Sequence, residues 1–97
     1  MSTKTYLKTL IESSHATKKP DTDIECIRSA IIAEYDAVNM YEEFAEVCKN
    51  EKVKKVFLDI ANEEKVHIGE FEALAGKLDA HFVNKRNEGK KEVEQLI

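Results

Sequence analysis

From residue 21 to residue 68 the chain contains neither glycine nor proline. That constrains it to long helices, because the strands and loops of a small domain are punctuated by those residues every few positions. Apolar residues recur through the stretch at steps of three and four, the spacing of one helix face. The first stripe reads Ile24, Ile27, Ile31, Glu34, Val38, Tyr41, Ala45 and Cys48; the second reads Val53, Phe57, Ile60, Glu64, His67, Phe71, Leu74 and Leu78. At 97 residues the chain makes one small domain, and its 35% charged content suits solvated helices. The expectation is an all-α protein. A net charge of −4 without a basic stripe argues against nucleic acid. No stretch approaches the ~18 apolar residues of a membrane span, and the amino terminus lacks a signal-peptide core, so the chain reads as cytoplasmic.

Residues 1–21 read as a tail or short helix, with one apolar cluster at Tyr6, Leu7, Leu10 and Ile11 and then a polar linker ending near Pro20. Thr22 followed by Glu25 matches a capping box, so a long helix starts near Asp23. The polar run Lys49, Asn50, Glu51 and Lys52 marks the turn, with Asn50 as N-cap of a second helix that continues to about Leu78. Residues 22–79 thus form an antiparallel helical hairpin. Residues 80–97 read as a polar segment, broken by Gly89, with a short C-terminal helix in KKEVEQLI. Cys26 and Cys48 stand about 33 Å apart along one helix, beyond disulfide reach, and read as reduced thiols packed as small apolar groups.

Three residues break the two stripes, namely Glu34, Glu64 and His67. Folding the hairpin about Asn50 puts Glu34 about 24 Å from the turn and Glu64 and His67 about 21 and 26 Å from it, all at one height. Glu64 and His67 also share a face, being three residues apart. A lone Glu on such a stripe usually snorkels to water, and a lone His is usually hydrogen-bonded in the core. Three such exceptions at one level on facing helices point instead to a divalent metal, because an ion pair of two carboxylates and one imidazolium leaves a charge uncompensated. Carboxylate and imidazole donors favour iron or manganese without separating the two; a zinc-thiolate site is excluded by the lack of CxxC. Di-iron bundles use a Glu from each of two helices and a Glu-x-x-His from each of the other two, and this chain holds half of that. A second copy on a two-fold axis would complete a four-helix bundle with two irons per dimer.

The stretches AIIAEYDAVNMYEEFA and LDIANEEKVHIGEFEAL resemble the encapsulated ferritins, a branch of the ferritin-like superfamily with a single helical hairpin per chain. The resemblance implies a ferroxidase that oxidises Fe(II) to Fe(III) at a dimer interface, inside a nanocompartment of the shell protein encapsulin, and an annular decamer of five dimers. It puts Glu34, Glu64 and His67 on the iron ligands and Tyr41 beside the site. Where such proteins can carry a pair of acids as an outer metal site, this chain has Ala33 and Asp36; Met40 stands where a Trp can occur. The tail KKEVEQLI does not read as an encapsulin-targeting sequence.

Two rival readings remain. One is a rubrerythrin-like peroxide-reducing di-iron protein, against which stands the absence of the CxxC pairs of a rubredoxin-type domain. The other is a non-enzymatic helical oligomerisation module whose polar layer fixes register. Glu42, Glu43, Glu63 and Lys65 read as a solvated face, Glu70 lies one turn beyond His67, and His15 and His81 sit in polar surroundings.

Overall fold

The computed structural model describes residues 22–97, with Lys8 before them. Helix α1 spans Thr22–Val47, α2 spans Glu51–Leu78 and α3 spans Ala80–Leu96, and no strand occurs among the described residues. The expected tail or short helix before Thr22 lies outside the described residues. α1 and α2 pack along their lengths as the expected hairpin. Asp23 and Glu25 in the first turn of α1 complement its positive end.

The hairpin turns where Asn50 dictates. Its backbone is extended, at φ −77° and ψ 123°. Its Oδ1 accepts hydrogen bonds from the backbone N–H groups of Lys52 at 2.9 Å and Val53 at 3.2 Å, two of the donors that the start of a helix leaves without partners.

On α1 the seven residues of the expected stripe are buried or half-buried, with Ile27, Val38 and Ala45 fully inside, and Cys48 just after the helix is half-buried. On α2 the expected stripe needs correcting. Ala61 and Ile68 are its most buried residues, flanked by half-buried Phe57, Glu64, Phe71 and Ala75, whereas Val53, His67, Leu74 and Leu78 are exposed. The apolar arc of α2 is wider than one contact, and α1 covers only one edge of it. The other edge, carrying His67, faces outward.

The C-terminal helix also differs from expectation, since it begins at Ala80 instead of forming only at KKEVEQLI. Good helix formers surround Gly89, whose penalty of about 1 kcal/mol they absorb, and Lys85 pairs with Glu88 at 3.0 Å one turn away. Its start is set by Asp79, the single residue between α2 and α3. Asp79 Oδ1 accepts from the Phe82 N–H at 3.1 Å, while Oδ2 meets Arg28 Nη2 of α1 at 3.0 Å. One carboxylate therefore caps α3 and ties its root to α1.

α3 has no buried residue. Large apolar side chains stay exposed along all three helices, among them Ile32, Phe44, Val56, Val66, Leu74 and Phe82. The radius of gyration is 16.8 Å, against about 12 Å for a compact domain of this length. So open a shape leaves apolar surface for a partner.

Two outcomes are expected of the caps. Asn50→Ala should destabilise the hairpin by about 1 kcal/mol, read from denaturant unfolding at fixed protein concentration. The Phe82 N–H bond, followed by the Arg28 guanidinium, holds the Asp79 carboxyl below the usual carboxylate range. A lowered folded-state pKa means that its contribution is complete above the unfolded value of about 3.9 and is lost only as pH falls through the lowered one. Amide exchange at Phe82 should therefore stay constant from neutral pH down to about 5, apart from the intrinsic pH dependence, and Asp79→Ala should accelerate it across that whole range.

Candidate metal centre

The middle of the α1/α2 seam holds the three polar exceptions together. Glu34, Glu64 and His67 each offer a ligand atom, and these atoms lie within 4.8 Å of one another. His67 Nδ1 stands 3.4 Å from Glu64 Oε2 and 3.5 Å from Glu34 Oε2. Helical spacing brings Glu64 and His67 to adjacent turns, and the Asn50 turn sets the register that brings Glu34 opposite them.

The electrostatics of this cluster are incomplete within one chain. The two Glu side chains are mostly buried, at 21% exposure for Glu34 and 19% for Glu64, while His67 is 47% exposed. Glu34 Oε2 is buried without a hydrogen-bond partner. The single nitrogen facing both carboxylates can carry one proton, so it cannot donate to both, and its two contacts are at the long limit for hydrogen bonds. Leaving a buried carboxylate oxygen unsatisfied costs about 1–3 kcal/mol or more. A divalent cation removes that cost. Two ligand atoms bonded at about 2.1 Å to one ion stand roughly 3.0–3.4 Å apart, close to the two separations at His67. The chemistry of the donors, two carboxylates and one imidazole, suits iron or manganese.

The other sequence candidates sit elsewhere. Tyr41 is half-buried and stacks on Phe57, with ring centroids 5.8 Å apart, while Phe44 meets the same ring edge-on at 5.5 Å. This cluster lies toward the turn, about 10 Å along α1 from Glu34. No hydrogen bond joins the Tyr41 hydroxyl to a carboxylate of its own chain among the described residues. Asp36 and Met40 are exposed, and Ala33 is half-buried. Glu42, Glu43, Glu63, Lys65, Glu70 and His81 are all exposed, as a solvated face requires. Cys26 is exposed too, contrary to its expected packing, and Cys48 is half-buried.

One ion pair was not legible beforehand. Lys65 Nζ reaches Glu42 Oε2 at 2.9 Å, joining α1 to α2 beside Glu64. Which exposed charges face each other depends on helix rotation, for which a single sequence carries no signal.

A sequence profile described as Rubrerythrin matches residues 25–96. An encapsulated ferritin domain from Pyrococcus furiosus, known from a crystal structure, is 45% identical, with a TM-score of 0.78 over 80% of each chain. The chain belongs to the encapsulated ferritins of the rubrerythrin family. It is also 48% identical over 73 residues to a ferritin-like-encapsulin shell fusion protein of Pyrococcus furiosus, covering 75% of this chain but only 21% of that protein. The likeness therefore spans about a fifth of the fusion protein. As an encapsulated ferritin the chain has the ferritin-like bundle fold, and the family match runs through all three described helices.

The buried, unsatisfied oxygen yields a test that needs no activity. Glu34→Gln removes a buried negative charge, so it should raise the unfolding midpoint in chelator while abolishing the gain that added divalent metal gives the unaltered protein.

Proposed function

We propose that the protein is a ferroxidase, with Glu34, Glu64 and His67 binding Fe(II) as substrate at a site shared between two copies of the chain. The observation that carries this reading is the unsatisfied Glu34 oxygen in a cluster of two carboxylates and an imidazole. Three donors leave an iron ion undersaturated, and His67, at 47% exposed, lies on the uncovered edge of α2 with Val53, Leu74 and Leu78. A two-fold partner seated on that edge doubles the set to four carboxylates and two imidazoles and closes the four-helix bundle. In this arrangement Glu64 bridges the two ions, Glu34 is terminal and His67 holds each ion through a nitrogen. Each of two Fe(II) ions then loses one electron, and the pair reduces dioxygen with two protons to hydrogen peroxide.

Tyr41 and Asp36 belong to this proposal as outer residues. Tyr41 borders the site from the aromatic cluster, where its hydroxyl is available to groups of the second copy. Asp36 is the one acid at the outer positions, beside Ala33. Manganese fits the same donors.

Five dimers in an annular decamer, and residence within the lumen of an encapsulin shell, complete the proposal. The shell partner is supported by the ferritin-like protein of Pyrococcus furiosus that is fused to one. No helix among the described residues is long and apolar enough to cross a membrane. A two-helix hairpin encloses no volume for mineral, so storage of the ferric product falls to such a shell.

Anaerobic titration with Fe(II) followed by admission of air tests the reading. One iron per chain is expected, with ferric absorbance developing only after air. Glu64→Ala and His67→Ala should each abolish oxidation, because one substitution alters both halves of a symmetric site, whereas Glu63→Ala and Glu70→Ala should stay near the unaltered rate. Tyr41→Phe should leave iron binding within a few-fold while changing the oxidation rate, as loss of an outer hydrogen bond typically does by about 10–100-fold. Faster turnover with hydrogen peroxide than with dioxygen would favour a peroxide-reducing role, which the family also suggests.

Metal and assembly should be linked as well. Without iron, the four carboxylates of the shared layer repel one another and oppose association. Iron that binds only the assembled form favours it by RT ln(1 + [L]/Kd), about 2.7 kcal/mol per site at a hundredfold excess. Native mass spectrometry should show smaller species after chelation and larger ones after Fe(II). A mass distribution indifferent to metal at every protein concentration would mean that the interface closes without the ions.

A further inference from the structure

The apolar arc of α2 offers α1 two packed centres, Ala61 with Ile68 or Ile60 with His67, and these treat the ligands differently. At about 100° per residue, Glu64 lies roughly 40–60° from the members of either pair, so it faces α1 in both rotations. His67 does not. In the observed rotation it stands exposed at the edge, whereas in the other it would fill the middle of the seam, enclosed by its own hairpin and out of reach of a second copy. Phe57, Phe71 and Ala75 flank the first centre and Val53, Leu74 and Leu78 the second, so apolar burial by itself does not distinguish them.

A charged contact does distinguish them. Lys65 Nζ of α2 meets Glu42 Oε2 of α1 at 2.9 Å. Lys65 lies roughly 40° from Ala61 and 60° from Ile68, on the side away from Glu64, and there it overlooks α1. With Ile60 and His67 at the centre it would lie roughly 140–160° round the helix and point away from α1. The pair therefore forms in one rotation only. A second pair stands on the same edge, Arg28 with Asp79 at 3.0 Å, fourteen residues along each strand of the hairpin and so close to four full turns away.

We infer that Lys65 and Glu42 are positioning residues for His67: their ion pair fixes the rotation of α2 that keeps the imidazole on the open edge, where iron and a second copy reach it. The consequence for iron rests on the ferroxidase reading. Lys65 pairs with Glu42 and not with a ligand carboxylate, so it acts on the metal through helix rotation. An exposed pair shifts an equilibrium by up to about fivefold, which sets the ceiling of the effect. The sign separates positioning from simple charge. A cation beside the site repels a metal ion, so losing Lys65 would tighten binding if charge alone acted, whereas losing the pair that turns His67 outward loosens it.

Titration of the full chain with Co(II), which takes the same donors, tests the positioning apart from oxidation, with affinity read by chelator competition and ligation by the visible spectrum. Lys65→Gln and Glu42→Gln should each weaken Co(II) binding by about two- to fivefold. The exchange of both, Lys65→Glu with Glu42→Lys, restores the pair with its charges reversed and should bring affinity back to within about twofold of the unaltered protein. Lys85→Gln breaks an exposed pair within α3 and should leave affinity unchanged. All the saturated proteins should share one spectrum, because the ligands are intact. Unchanged or tighter binding by Lys65→Gln, losses that the exchange does not restore, or an altered saturated spectrum would overturn the inference and leave the ferroxidase reading standing. An unaltered protein that binds no Co(II) would overturn both. The expected Co(II) results without any Fe(II) oxidation would support the positioning and remove the ferroxidase reading alone.

Discussion

The hairpin is organised around a charge that one chain leaves unresolved. Glu34 presents a buried oxygen to His67 and Glu64 in a seam that is otherwise apolar, and no proton placement on one imidazole nitrogen satisfies both carboxylates. Such a layer opposes burial, and the long apolar contacts above and below it hold the helices together regardless. The same seam sets its register, because Asn50 begins α2 at a fixed point and the two helices are rigid from there to the three donors. A divalent cation would relieve that imbalance.

Two small capping devices place everything else. Asn50 spends its side-chain oxygen on two backbone donors and so turns the chain back on itself. Asp79 divides its carboxylate between the first turn of α3 and the guanidinium of Arg28, fixing the root of a helix that makes little contact with the hairpin. The hairpin's two edges have different chemistry. The edge with His67 carries the exposed apolar residues Val53, Leu74 and Leu78, whereas the edge with Lys65 and Glu42 carries an ion pair that spans both helices.

The absence of glycine and proline over residues 21–68, together with apolar steps of three and four, determined the two long helices, and Asn50 determined their turn. Simple rise per residue then put Glu34 level with Glu64 and His67, so the candidate centre was legible before any coordinates, as was the likeness to encapsulated ferritins carried by its flanking motifs. Tertiary structure decided what those periods leave open. The apolar arc of α2 admits either Ile60 with His67 or Ala61 with Ile68 as its packed centre, and packing against α1 selected the latter pair, turning His67 to the edge. The Arg28–Asp79 tie and the Lys65–Glu42 pair depend on how helices are rotated and crossed. Helical periodicity fixes where a side chain stands on its own cylinder; which neighbour it meets is set by contacts between cylinders, and these come from residues far apart along the chain.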